Sequence, residues 1–246
     1  MVANLFVAWQ DQDTRAWHTI ARLRRLDSGY EFGFTRGVES LRSIPRDLFQ
    51  MDVKRRYSSD ELMPIFKNKL PSRNRTDFIK MANWLNLRGN EEEFESLSKF
   101  GLIPGTDSIL VYPEPQVTLG KYKLEFFVHG IRHMHKDVMT LCEGMKEGDR
   151  LLPLLDVQNH VDPNAVALRC METSLLIGYV PTFYAADFRR ILADASLVTG
   201  VRVKIVRNNV DAPIQLRLLC QFDASVPLTF RSLDSDVHKP IFDEAA

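Results

Sequence analysis

LEFFVHGIRHMH (residues 124–135), GDRLLPLLDVQNHVDPNAVALRC (148–170) and LLIGYVPTFYAADFRRIL (175–192) are the segments on which the fold turns. Apolar runs bounded by Gly, Pro, Asn and Asp read as strand, loop, strand, polar corner, strand, hairpin, strand, helix. The helix is expected from Phe183 to Leu192. No position in the stretch sets a nucleophile beside a base. Its polar residues gather at turns and strand ends, where a small β-barrel builds a binding surface.

Downstream, VRVKIVR (201–207) alternates, with Val201, Val203 and Ile205 facing one way and Arg202, Lys204 and Arg207 the other. Asn208-Asn209 is the expected turn, and QLRLLCQF (215–222) the returning strand. Residues 232–246 form a polar tail with Asp234, Asp236, Asp243 and Glu244, expected to be mobile or to pack elsewhere.

Upstream, residues 4–9 and 16–26 are strand candidates. In the second, His18, Ile20 and Arg22 oppose Trp17, Thr19, Ala21 and Leu23. Tyr30, Phe32 and Phe34 share one face of a third strand. A helix is expected over 59–69, capped by Ser59 and Asp60, with Leu62, Ile65, Phe66 and Leu70 inward. Further helices are expected over 75–85 and 91–100, then a strand in GTDSILVYPEP (105–115) and a linker over 114–121. The fold class is therefore an α+β module over residues 1–115, followed over 121–231 by a mainly β, small-barrel module with one short helix.

Composition narrows the function. Thirty-two Lys and Arg balance thirty-two Asp and Glu, which argues against coating by nucleic acid and leaves room for a local basic patch. No apolar run approaches the ~20 residues of a membrane span, and MVANLFVAWQDQ lacks the basic start of a signal peptide. Cys142, Cys170 and Cys220 are few and far apart in sequence, which suits buried thiols in a reducing cytoplasm. No phosphate-binding glycine loop, HExxH or nucleophile elbow is present, so no cofactor or catalytic residue is expected. His129, His133 and His135 would share a strand face, but no Cys or Glu completes a metal set. The most basic stretch is residues 54–75, with seven Lys or Arg against two acids. It is read first as an exposed surface and second as contact with nucleic acid or an acidic partner.

FFVHGIRH, GDRLLPL, NHVDPNA and IGYVP, in that order within residues 121–225, resemble the HIRAN domain, a DNA-binding module. The resemblance implies an OB- or SH3-like barrel and non-enzymatic recognition of single-stranded DNA or DNA 3′ ends. It implies a phosphate or terminal-hydroxyl contact for Arg132, and stacking for His133, which stands where Tyr is more frequent. The corner bearing Asn159, Asp162 and Asn164 would border the DNA-end pocket while also building Asx-turns, and Tyr179 would be either a core-edge ring or a stacking surface. Arg202, Lys204 and Arg207 would track the backbone. Val161 stands where the family often carries an aromatic ring.

Residues 4–113 resemble the N-terminal subdomain of HipA-type proteins in VAWQDQDTRAWHTIARL (7–23), YEFGFTRG (30–37), IPRDLFQM (44–51), FKNKLPSRNR (66–75) and LSKFGLIPGTDSILVYPEP (97–115). No kinase core follows, so what this resemblance implies is docking of a protein partner, in DNA processing, phage defence or a toxin–antitoxin setting. The alternative for the chain as a whole is a regulatory, antitoxin-like interaction subunit that does not bind DNA.

Overall fold

A computed structural model describes residues 4–41, 51–103, 105, 108–197 and 200–241. The chain divides into two compact units. One takes residues 1–79, 87–114 and 234–246, and the other residues 80–86 and 115–233. Each is built on an antiparallel sheet, with few helices.

The N-terminal sheet holds β1 (Asn4–Gln10), β2 (Trp17–Leu26), β3 (Gly29–Phe34), β4 (Arg56–Ser59) and β5 (Ile109–Pro113), in the order β4-β3-β2-β1-β5. Leu5, Val7, Trp9, Leu23, Phe32 and Phe34 pack with Phe66 and Phe94 in one core. Simple alternation in β2 fails at Ile20, which joins Ala21 and Leu23 in that core. The cause is a β-bulge: Val7 pairs with Ala21 and Ala8 with Thr19, so Ile20 is the extra residue.

The opposite face of the same sheet is also covered. Phe6 stacks on Tyr112 with ring centroids 5.8 Å apart and takes the edge of His238 at 5.0 Å. The Tyr112 hydroxyl lies 2.6 Å from Thr19 Oγ1 and 3.1 Å from His238 Nε2, and Ser235 Oγ lies 2.7 Å from His238 Nδ1. Backbone bonds Arg36 N–H to Lys239 O (2.8 Å) and Ile241 N–H to Phe34 O (3.1 Å) hold the segment in place. Residues 234–241, read from sequence as part of a polar tail, therefore pack on the N-terminal unit; Asp243 and Glu244 lie outside the described residues.

The helix expected over 59–69 shrinks to Pro64–Lys67. Ser59 ends β4, and Pro64 opens the helix at its first turn, where its missing N–H costs nothing. The other helices are Phe78–Trp84 and Glu93–Phe100. Gly101 follows the latter because a Cβ there would stand 2.6 Å from both Leu97 O and the Val111 side chain.

The second sheet holds β6 (Gln116–Thr118), β7 (Lys121–Phe127), β8 (Arg150–Leu155), β9 (Val166–Cys170), β10 (Leu176–Tyr179), β11 (Arg202–Asn208) and β12 (Leu218–Ser225). Their order is β10-β9-β8-β11-β12-β7-β6. The ladders leave this order open, so the pairings do not draw the closed barrel expected from sequence. A single isolated bridge, His129 with Tyr179, joins the chain just beyond β7 to the far edge strand β10. The helix Thr182–Ala193 packs on one face of this sheet. Phe188 lies 3.9 Å from Phe222 between ring centroids and meets Phe126 edge-on at 5.5 Å. The buried Asp187 carboxylate of that helix accepts from Tyr122 Oη (3.3 Å) and from the Leu233 N–H (2.9 Å), which anchors the end of the unit.

Two expectations change here. The presumed linker contains β6 and a turn at Leu119-Gly120, both with positive φ. The expected strand 124–135 ends at Phe127, and a helix runs from Lys136 to Gly144 with Val138 and Cys142 buried. Residues 80–86 also belong to this unit: Asn209 Nδ2 donates to Trp84 O (3.0 Å) and Trp84 Nε1 to Asp211 (2.9 Å). No described helix is long and apolar enough to cross a membrane.

Candidate functional site

Gly130 turns the chain after β7. Its φ of +77° favours glycine, and the turn opens a short 3₁₀ segment, Ile131–His133. Ile131 is buried and fixes the segment, which leaves Arg132 and His133 exposed. Arg132 Nε donates to His133 Nε2 at 2.9 Å, which ties the two exposed side chains together. His135 is the N-cap of the helix Lys136–Gly144 and stands 3.1 Å from Asp137. His129 lies against Phe183 (6.0 Å between centroids), and burial lowers its pKa to about 4. The three histidines thus sit on different local structures and do not share a strand face. Among the described residues no cluster suited to a metal is formed.

The bridge brings β10 beside this turn. His129 N–H donates to Tyr179 O at 2.9 Å and Tyr179 N–H to His129 O at 2.8 Å. Glycine is required at 178, since a Cβ there would stand 2.4 Å from His129 O. Tyr179 then lies over Gly130, where a Cβ would meet the ring edge at 3.6 Å. Its hydroxyl donates to Asp156 Oδ2 at 3.0 Å. Asn159 Nδ2 donates to the same oxygen at 3.1 Å, while Asn159 Oδ1 accepts from the N–H groups of Val161 and Asp162, both at 3.0 Å. Asp162 Oδ1 accepts from the Asn164 N–H at 2.8 Å. The loop is therefore a run of side-chain-to-backbone turns pinned to Tyr179 through Asp156. The Asn159 and Tyr179 hydrogen bonds hold the Asp156 carboxyl below its usual range, and burial followed by the Asp156 bond raises the Tyr179 phenol.

The structure thus gathers Arg132, His133, Tyr179, Asn159, Asp162 and Asn164 on one rim. Arg202 and Lys204 lie elsewhere, on the outward face of β11, opposite Asp223 and Gln221 of β12. Register places Asp223 beside Lys123, four residues along β7 from Phe127 at the rim end. The ladder shift between Ile205 and Arg207 sets Arg207 opposite Leu219, on the same face as Arg202 and Lys204, and its guanidinium pairs with Glu147 at 3.0 Å. The sequence reading missed Asp156, the link between ring and loop. Its signal was its place at the end of the apolar run LLPLL, three residues before Asn159.

In the other unit the basic stretch 54–75 is largely paired. Lys67 meets Glu61 (2.6 Å), Arg75 meets Asp77 (2.8 Å), and Arg73 and Lys69 donate to the carbonyls of Glu91 and Ile109, both at 2.9 Å.

The HIRAN domain family model matches residues 121–226. These residues carry a HIRAN domain. The rim therefore belongs to the HIRAN region, and residues 4–113, with their HipA-type resemblance, lie outside the match. Within that resemblance, residues 44–50, Pro104, Thr106 and Asp107 also lie outside the described residues. Among solved structures, the HIRAN domain of human HLTF is 11% identical, covering 46% of this chain and 84% of its own, with a TM-score of 0.35. A protein from Lactobacillus plantarum is 15% identical, covering 43% and 99%, with a TM-score of 0.33. No curated protein sequence matches.

Proposed function

We propose that this protein is a non-enzymatic DNA-binding protein whose HIRAN rim receives single-stranded DNA or a DNA 3′ end. The observation that carries the reading is the convergence across the His129–Tyr179 bridge. An exposed Arg–His pair stands on one side of it, and a carboxylate-pinned Asn/Asp loop on the other. Arg132 supplies a forked donor for a phosphate or a terminal hydroxyl. Asp162 uses one carboxylate oxygen to hold its own turn, which leaves the other to accept from a hydroxyl or base amine. A carboxylate disfavours internal phosphates, so this side of the rim suits an end that bears a free hydroxyl.

A second reading, a regulatory subunit whose rim meets protein, is favoured by Val161. It is 93% exposed at the loop tip and offers an apolar contact where a stacking ring would be wanted. For the N-terminal module we propose partner docking, on the HipA-type resemblance alone.

Fluorescence anisotropy with a free-ended strand, a 3′-phosphorylated strand and a blunt duplex separates these readings. DNA recognition at the rim predicts salt-dependent binding weakened about tenfold or more by Arg132→Ala. Equal affinity for free and blocked ends removes end recognition. Absence of binding at low salt removes DNA recognition and leaves the protein-binding rim.

A further inference from the structure

The outward face of the second sheet, away from the rim, carries an arrangement that the sheet alone does not explain. Register sets Arg150 of β8 directly opposite Lys204 of β11, and both are exposed. Like charges facing across an antiparallel ladder destabilise it. Arg202 lies on the same face, because Val203 and Ile205 point into the core. Lys123 joins them across Asp223, and Lys121 stands two residues further along β7, 2.8 Å from Ser225 Oγ. Asp223 is engaged by the Gln221 amide, and Glu125 by Asn86. Arg150, Arg202, Lys204 and Lys123 have no carboxylate at salt-bridge distance among the described residues. The chain is neutral overall, so this is a local excess. No aromatic side chain stands among these outward positions; Tyr122 and Phe222, which alternate with them, are buried.

We infer that this ladder is a second contact of the HIRAN domain, for the phosphates of a single strand that continues from the rim. The inference rests on the rim reading. Long cations on a flat sheet can follow a phosphodiester backbone, and without rings they read charge and not base. The Asp223–Lys123 row lies four residues from the rim end of β7, about 13 Å at the rise of a strand, so only a strand longer than the rim reaches it. A phosphate between Arg150 and Lys204 relieves the repulsion that the unliganded sheet tolerates.

The test uses the full chain and deoxythymidine strands of about four and about twelve nucleotides. Arg150→Glu converts the repelling pair into a cross-strand ion pair and withdraws both cations. The longer strand should then lose roughly tenfold in affinity, with its salt slope shallower by about 1.4, while the shorter strand binds as before. The same variant, without DNA, should melt about 1–2 °C higher, an effect a merely damaged sheet cannot give. Unchanged binding of the longer strand overturns the ladder contact while leaving the rim reading intact. Longer-strand binding lost in Arg150→Glu and kept in Arg132→Ala retains the ladder and removes the rim. If the unaltered chain binds neither strand, both readings fall.

Discussion

The two sheets of this protein spend their faces differently. The N-terminal sheet is covered on both: Phe32 and Phe34 lie in one core, while Phe6 and Tyr112 lie under the segment that carries His238. The second sheet covers one face with the helix Thr182–Ala193 and keeps charged residues along part of the other. Both are antiparallel, and antiparallel sheets permit either solution. The difference teaches where chemistry can be sought. A face already filled by its own chain contributes stability, whereas a face and a rim left wet can contribute recognition.

The largest test of that contrast is Phe32→Ala. Phe32 is fully buried between Phe34 and Phe66, so truncation should cost about 3–5 kcal/mol in denaturant unfolding. DNA affinity of the chain that remains folded should stay unchanged. A loss of affinity there would show that the covered sheet also serves binding.

A smaller effect is set by pH. Burial lowers the His238 pKa to about 4, whereas an unfolded histidine titrates near 6.5. The unfolded chain therefore takes up this proton first as pH falls. Stability is complete above about 6.5 and declines by roughly 2–3 kcal/mol down to the folded value. His238→Gln should flatten that decline in pH-dependent unfolding. An unaltered slope would mean that the Tyr112–His238–Ser235 cover does not fix the protonation state.

The smallest effect concerns the rim itself. Tyr179→Phe removes the bond to Asp156, which should cost about 1 kcal/mol and loosen the loop 156–164. The lowered Asp156 carboxyl contributes stability above the ordinary carboxylate range, and that contribution is lost as pH falls below about 4. The variant should show less of this acid loss in the same titration. No change in either quantity would mean that the Asn/Asp turns hold the loop without the ring.

Much of this was legible in the sequence, and the failures have causes. β3 and β11 announce themselves by alternation, and β1 and β12 by apolar runs that end in polar residues. Ile20 misleads because a bulge spends one residue without advancing the ladder. The start at Pro64 and the helix Lys136–Gly144 were missed because both are short and packing, not propensity, decides them. At the site, Gly130, Arg132, Asp162 and Tyr179 could be named from local motifs. Asp156 is marked only by its place after LLPLL, and its role exists only once β10 returns to place a ring against it. Arg202 and Lys204 were identified as outward cations, but their opposition to Arg150 and Asp223 is a matter of register.

The segment 234–241 has a consequence for how the chain is made. A ribosome delivers residues in order, and an N-terminal unit ordinarily completes itself before the next emerges. Here the Phe6–Thr19–Tyr112 face waits for residues that follow the whole of the second sheet. Throughout that interval the nascent chain carries an uncovered aromatic patch, and its closure comes only after Ile241 has been added.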